Sequence, residues 1–94
     1  MINNLNFKIK LDYENHRRTI SKLTLLLLYL NSWEEKNFDH PVRRAWKRHD
    51  FDTLNELEEK GLITQSKTAK SLYFTEEGIA MAKELEEVLA KVVK

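Results

Sequence analysis

The sequence contains no cysteine, so disulfide bonds and thiolate metal sites are excluded. Only two glycines and one proline occur among its 94 residues, which leaves little room for flexible linkers and excludes a glycine-rich phosphate-binding loop. The one long apolar run, residues 23–30, is far too short to cross a bilayer. The first eleven residues lack the apolar block of a secretory signal, so we expect a cytoplasmic protein without a membrane partner.

Residues that carry catalytic chemistry are equally sparse. The three histidines, His16, His40 and His49, do not have the spacing of metal ligands on one helix. The serines lack the context of a nucleophile elbow, and the carboxylates cluster on helices whose other face is apolar. We therefore expect no enzyme, no metal, no cofactor and no small-molecule site.

The composition is that of one globular domain, with 41% hydrophobic and 33% charged residues. The net charge of +1 hides an asymmetry between the two halves. Residues 1–50 carry ten Lys/Arg and six Asp/Glu, a net of +4, whereas residues 51–94 carry six and nine, a net of −3. Segregation of charge of this kind indicates something about partners, although nothing about the fold.

The first segment alternates apolar and polar residues, with Leu5, Phe7, Ile9 and Leu11 on one side. This pattern predicts a strand with one buried face, within an N-terminal arm over residues 1–14. The strand could extend a sheet of its own chain or pair with the same segment of another chain. An ordered arm lying on the first helix is the alternative.

The first helix is predicted to run from about residue 18 to Ser32. Its main stripe consists of Ile20, Leu23, Leu27 and Leu30, and further leucines make it apolar almost all round. A helix of this kind is central and covered on several sides, so we expect Leu27 to be buried. Part of the cover could come from a second subunit.

Pro41 suits the first turn of a second helix, where its missing N–H costs nothing. Val42, Ala45, Trp46 and His49 follow at helical spacing, which favours a short helix ending near Arg48, with a strand as the alternative. The same spacing favours Trp46 as a buried anchor rather than an exposed platform for a base. The cations around it would then lie on the opposite side.

The stretch from Asp50 to Gly78 predicts a helix, a hairpin and the start of a last helix. An aspartate caps the first of these helices, Phe51, Leu54 and Leu57 form its inward stripe, and Gly61 ends it. The strands are centred on Leu62–Ile63 and Leu72–Phe74, and Thr75 caps the last helix. That helix carries the 4-3-4 spacing of a helix pair, from which we expect a homodimer. Its predicted interface residues are Met81, Leu85, Val88 and Val92.

Three short segments carry a resemblance to a known superfamily. The first consists of Leu54, Glu58 and the run Lys60–Ile63, and the second is Leu72–Gly78. The third combines Arg44–Lys47 with Asp50–Asp52. Over residues 22–89 the chain resembles winged helix-turn-helix proteins, and is similar to an uncharacterised prokaryotic family of small single-domain members. The resemblance implies a mainly α domain with a small antiparallel β-hairpin, an N-terminal arm or strand and a long C-terminal helix. The implied parts are the arm 1–14, the winged-helix core 15–75 and the last helix 76–94.

The resemblance also implies nucleic-acid binding, most simply DNA binding by a regulator of transcription. The basic residues beside the expected helix-turn-helix and wing would contact phosphates; they are Arg43, Arg44, Lys47, Arg48, Lys67 and Lys70. The presumed recognition helix turns five polar residues outward, namely Asp52, Asn55, Glu56, Glu59 and Lys60. An acidic face of this kind is repelled by the phosphate rows of a major groove. The alternative is a winged helix that binds another protein and no DNA.

Overall fold

The computed structural model of the protein describes the backbone of residues 4–37 and 40–93, and the side chains of residues 12–36 and 40–92. The described chain forms three helices and four strands. In order they are α1 (Asn4–Leu30), β1 (Trp33–Asn37), β2 (His40–Trp46), α2 (Phe51–Glu59), β3 (Ile63–Gln65), β4 (Ser71–Phe74) and α3 (Glu76–Val93). The architecture is therefore mixed α and β.

The four strands form one antiparallel sheet in the order β1-β2-β4-β3. The hairpin predicted over residues 62–74 is confirmed as β3 and β4. A second hairpin, β1–β2, was not predicted from the sequence. It joins the first through the pairs Arg44–Tyr73, Ala45–Leu72 and Trp46–Ser71. One face of the sheet packs on the helices, and the other remains open.

The prediction of a strand from Leu5 to Leu11 is wrong, because α1 already begins at Asn4. No glycine or proline interrupts residues 4–30, and extending an existing helix costs far less than starting one. The side chains of the four alternating residues lie outside the described part, as does the backbone of residues 1–3. The described part of the arm, residues 4–14, therefore forms the start of one 27-residue helix.

The buried face of α1 also differs from the predicted one. Leu25 and Leu28 are fully buried, and Ser21, Thr24 and Leu26 accompany them. The stripe Ile20, Leu23, Leu27 and Leu30 is instead about half exposed, so the expectation of a buried Leu27 is wrong. In a helix with leucines nearly all round, the sequence does not tell which side the other elements cover.

The helix expected over Pro41 to Arg48 is wrong, because residues 40–46 form β2. Proline pushes the residue before it towards extended backbone, which here is His40. Pro41 itself pairs with Lys36 of β1, while β4 pairs only with residues 44–46. Proline is therefore tolerated at a position with one neighbouring strand. Without this helix, the described residues contain no helix-turn-helix.

From α2 to α3 the structure agrees closely with the elements and caps predicted from the sequence. The Asp50 carboxylate caps α2 by accepting from the N–H of Thr53 at 3.1 Å. At the other end Gly61 has a φ of 75°, and its N–H donates to Glu58 while that of Leu62 donates to Leu57. This pair of hydrogen bonds is a Schellman motif.

The start of α3 is tied to the end of α2 by one hydroxyl. Thr75 Oγ1 accepts from the N–H of Gly78 at 3.0 Å and donates to the carbonyl of Gly61 at 2.7 Å. The N–H of Thr75 reaches the carbonyl of Leu62 at 3.2 Å. These hydrogen bonds hold the residues just before β3 and just after β4 next to each other, between the end of α2 and the start of α3.

A single hydrophobic core lies between the sheet and the helices. All three helices and three of the strands contribute to it. Its buried members are Leu25, Leu28, Ala45, Leu54, Leu57, Leu62, Ile63, Leu72, Phe74 and Ala82. This core holds the ends of β2 and β4 and the start of α2 in fixed positions.

Candidate nucleic-acid interface

A cleft of about 580 Å³ lies where β2, α2 and the loop between β3 and β4 meet. Four of the six predicted phosphate-binding cations line it, together with two aromatic side chains. Its lining residues are Trp46, Lys47, Arg48, Phe51, Lys67, Thr68, Ala69 and Lys70. We call this the basic aromatic cleft.

Short backbone connections bring the two cationic segments together. The N–H of Lys47 donates to the carbonyl of Lys70 at 3.0 Å, which extends the β2–β4 pairing by one residue. The ammonium group of Lys47 donates to the carbonyl of Ser66 in the β3–β4 loop. Although about twenty residues separate the two pairs of cations in sequence, they therefore face one cleft.

Trp46 is 48% exposed, so the prediction of a buried anchor is wrong. Alternation along β2 explains the difference, because Ala45 points into the core and Trp46 points to the other side of the sheet. There its ring lies 5.0 Å from that of Trp33, centroid to centroid, at 44°. This contact holds one side of Trp46 and leaves the rest accessible from the cleft.

Phe51 is the second exposed aromatic residue of the cleft, at 73%. The prediction of an inward stripe on α2 is confirmed for Leu54 and Leu57, which are buried, and is wrong for Phe51. Phe51 stands at the first helical position, one turn before Leu54, where it projects beyond the core. A benzyl side chain this exposed gains little from folding, and it offers a flat apolar surface beside the cations.

Arg43 and Arg44 are not among the residues that line the cleft. Alternation along β2 sends their side chains to opposite faces of the sheet, where each is held by other residues. The Arg43 guanidinium donates to the Ser32 hydroxyl at 2.7 Å and lies 5.3 Å from the centre of the Tyr29 ring. It therefore stabilises the junction of α1 with β1.

Arg44 is engaged on the open face. Its guanidinium donates to the Glu35 carboxylate at 2.8 Å and to the Ser71 hydroxyl, and lies 4.6 Å from the centre of the Tyr73 ring. The hydrogen bond to Glu35 raises the pKa of the Arg44 guanidinium above its ordinary value. Both arginines are thus parts of the sheet rather than open phosphate ligands.

A second cleft of about 530 Å³ continues from the first along the outer side of α2. It shares Lys47, Phe51 and Lys67 with the basic aromatic cleft. Glu58 lines this second cleft and gives it an acidic side. Its carboxylate is held there by accepting from the N–H of Gln65 at 3.0 Å. The positive region therefore ends at α2, and the solvent face of that helix is acidic.

The prediction that Glu56 lies on the outward face of α2 is wrong, because its carboxylate points to α1 and joins the two helices. It accepts from the Ser21 hydroxyl at 3.0 Å, and Arg17 and Lys60 lie 3.4 Å from its oxygens. The hydrogen bond from Ser21, followed by the contacts with Lys60 and Arg17, lowers the pKa of the Glu56 carboxyl, although partial desolvation opposes the shift. Glu56 is therefore a structural group and lies away from the basic aromatic cleft.

The four residues predicted as a dimer seam are divided by the structure. Met81 and Leu85 are partly buried against the core of their own chain. Val88 and Val92 are 59% and 75% exposed. Together with Leu85, the two valines line an apolar groove of about 180 Å³ between α1 and α3, whose other residues include Leu23, Leu26 and Leu89.

Of the two aromatic residues of the cleft, Phe51 is a functional candidate that the sequence pattern does not indicate. Trp46 is one that its apparent helical spacing argued against. The signal that could have found Trp46 was Pro41 followed by the β-branched Val42, which together favour a strand and hence alternation. Within the described residues, no three His, Asp or Glu side chains gather as a metal site would require. Of the described helices, none combines the length and apolar character that a membrane crossing needs.

Comparison with known proteins gives a family but no activity. Neither the curated proteins nor the solved structures contain a match to this chain. The profile of one family, described as a domain of unknown function (DUF6429), matches residues 16–91. This range covers the second half of α1, the whole sheet and nearly all of α3, and so includes every residue of the basic aromatic cleft. The chain therefore belongs to the DUF6429 family.

Proposed function

We propose that the protein binds nucleic acid through the basic aromatic cleft. The observation that carries the proposal is that Lys47, Arg48, Lys67 and Lys70 line one cleft together with two exposed aromatic rings. Cations that track a phosphate backbone, with rings on which bases stack, are the two components of a nucleic-acid groove. Regulation of transcription, which the winged-helix resemblance implies, is the cellular role included in this proposal.

The four cations supply the phosphate contacts. Arg48, Lys67 and Lys70 border open solvent, whereas Lys47 is also bonded to the Ser66 carbonyl. The hydroxyl of Thr68 adds a neutral donor at the same place. Each neutralised phosphate releases a counterion, so four contacts to a single strand give a slope of about −3 for log K against log salt.

The geometry favours unpaired bases over a duplex. Stacking on Trp46 or Phe51 requires a base whose face is free, which a base inside a duplex does not offer. The helix that would enter a major groove is α2, and its solvent side carries Asp52 and Glu59, which phosphate rows repel. We therefore propose single-stranded segments as the ligand, which departs from the duplex DNA that the resemblance implies.

A fluorescence anisotropy titration tests the cations. Labelled oligo-dT, oligo-U and a DNA duplex are titrated with protein over a series of salt concentrations. We expect the single strands to bind more tightly than the duplex, and a variant with Lys67→Ala and Lys70→Ala to lose about one and a half units of the salt slope. The matched control is Lys83→Ala with Lys91→Ala, which removes two exposed cations of α3 outside the cleft.

The aromatic contribution is measured in the same titration. Base stacking is worth about 1–3 kcal/mol for each ring truncated to alanine, so Trp46→Ala and Phe51→Ala should each weaken binding about tenfold to a hundredfold. Tyr13→Ala removes an exposed ring far from the cleft and serves as the control. Equal affinity of all three variants and the parent would contradict stacking, and absence of binding at low salt would contradict the whole proposal.

A protein-binding role without nucleic acid is the second candidate. The observation that favours it is the exposed apolar surface of α1 and α3, where Leu23, Val88 and Val92 face solvent. Exposed apolar patches of this extent mark interaction sites in soluble proteins. A stable complex with another protein, formed by a chain that binds neither single strands nor duplexes, would support this candidate over the first.

A further inference from the structure

We propose that the exposed stripe of α1 is a homodimer interface, occupied by the same stripe of a second copy of the chain. The stripe consists of Ile20, Leu23, Leu27 and Leu30, which are 47%, 48%, 49% and 52% exposed. Their neighbours on the same helix, Leu25 and Leu28, are fully buried. The helix therefore buries one apolar side in its own domain and presents a second apolar side to solvent.

The spacing of the stripe specifies a helix as its partner. The four residues follow one another at intervals of three, four and three, which is the repeat of a coiled-coil seam. Ile20 and Leu27 occupy a positions, and Leu23 and Leu30 occupy d positions. Ile20 at a with Leu23 at d is the combination that favours two strands in parallel coiled coils, whereas Leu27 at the second a position is not β-branched.

Charge at the edges of the stripe permits a like partner. The flanking e and g positions are Arg17, Thr19, Thr24 and Leu26. Arg17 is already paired with Glu56 of its own chain at 3.4 Å, and the other three are uncharged. Two copies of the stripe therefore meet without the repulsion that charged flanking residues would impose on identical helices.

The stripe is also continuous with further apolar surface. Leu23 borders the groove that holds Val88, Leu89 and Val92 of α3, which are 59%, 39% and 75% exposed. Seven large apolar side chains, four on α1 and three on α3, are therefore exposed on one side of the molecule. Contiguous apolar surface of this kind marks an interaction site, and a second copy of the chain would cover the stripe and its continuation on α3 together.

The stripe differs from the seam predicted on α3 alone. Met81 and Leu85 are committed to the core of their own chain, whereas Val88 and Val92 lie beside the stripe and extend it. Leu27 also borders a cavity of about 350 Å³ that Trp46 and Arg48 line from the other side. Dimerisation through α1 would therefore set two basic aromatic clefts in a fixed relation on one molecule.

Sedimentation equilibrium at micromolar concentration tests the proposal. We expect the parent to sediment at twice the 11.2 kDa chain mass. Leu23→Glu with Leu27→Glu should give a monomer with unchanged circular dichroism, because both side chains are already exposed in the single chain. Asn15→Glu adds a carboxylate to an exposed site of α1 outside the stripe and should remain dimeric.

A second measurement keeps the test decisive if the double variant fails to fold. The chain has no cysteine, so Leu27→Cys introduces a single thiol into the stripe, and Thr64→Cys places one on exposed β3 as control. Alkylation of the thiol at position 27 should slow as protein concentration rises, while that at position 64 should not. A parent that sediments as a monomer, or a thiol at position 27 whose alkylation is independent of concentration, would overturn the proposal.

Discussion

Gly78, in the first turn of α3, lies where any side chain would collide with backbone. A Cβ built at this position would stand 1.9 Å from the carbonyl oxygen of Leu62, which in turn accepts from the N–H of Thr75. Because that oxygen belongs to the backbone between α2 and β3, it cannot move aside without disturbing the junction. We expect Gly78→Ala to lower the free energy of unfolding by about 1–3 kcal/mol or more, measured by urea denaturation.

Gly61 is the matched comparison, since a Cβ there would meet nothing within 4 Å. The cost of replacing Gly61 by alanine therefore comes from the positive φ of 75° alone. Left-handed backbone costs a non-glycine residue about 1–2 kcal/mol. Gly61→Asn should recover part of that cost, because asparagine tolerates this conformation, whereas Gly78→Asn should recover none. Equal recovery at both positions would show that the close approach to Leu62 is not what requires glycine.

Glu56 gives the stability a specific dependence on pH. Its folded pKa is lowered below the ordinary 4.5, chiefly by the hydrogen bond from Ser21. The folded state therefore binds this proton less readily than the unfolded chain, and the stabilisation is present above the unfolded pKa. It is lost as the pH falls through the folded pKa.

The variant Glu56→Gln keeps the acceptor for Ser21 and removes the charge. We expect its melting temperature to lie below that of the parent at neutral pH and to approach that of the parent as the pH falls through the folded pKa of Glu56. Glu59→Gln, an exposed carboxylate of the same helix, serves as control. A difference between Glu56→Gln and the parent that stays constant across this range would contradict the account.

At the scale of the element, α1 has two apolar sides, one buried in its own domain and one about half exposed. Leu25→Ala truncates a fully buried side chain and should cost about 2–5 kcal/mol. Leu27→Ala truncates a side chain that is 49% exposed and should cost clearly less. Both alanine variants are compared by urea denaturation in a chain that carries Leu23→Glu, which opposes any contact through the stripe. Equal costs would mean that Leu27 packs into the core of its own chain.

Elements with a local signal at each end are those that the sequence predicts well. The cap at Asp50, the glycine at position 61 and the cap at Thr75 each act on their own neighbours, and the structure shows all three. The hairpin between them follows, because polar residues separate two short apolar strands. For this segment, local chemistry is sufficient to fix the order and the bounds of the elements within one or two residues.

Elements whose identity depends on distant contacts are those that the sequence does not predict. Val42, Ala45 and His49 fit a helix as well as a strand over so short a run, and pairing with β1 and β4 decides for β2. That decision exposes Trp46 and removes Arg43 and Arg44 from the candidate site. In the same way, only the placement of α2 and the sheet determines which leucines of α1 are buried.

At the scale of the whole molecule, the positive and the negative charges of the sequence lie on different surfaces. The positive first half contributes Lys47 and Arg48 to the basic aromatic cleft, and the β3–β4 loop adds Lys67 and Lys70. The acidic second half supplies the solvent faces of α2 and α3. A polyanion is therefore attracted to one region and repelled from the helices beside it.

The central claim is that the basic aromatic cleft binds single-stranded nucleic acid with a base on Trp46, and the fluorescence of that residue tests it most directly. The chain has two tryptophans, so Trp33→Phe leaves Trp46 as the sole tryptophan while keeping an aromatic neighbour. Titration of this variant with oligo-dT at low salt should quench its emission to saturation, and added salt should restore the emission. Unchanged emission would contradict the claim. If anisotropy of the same oligonucleotide shows binding, the base does not stack on Trp46; if it shows none, the cleft does not bind the strand.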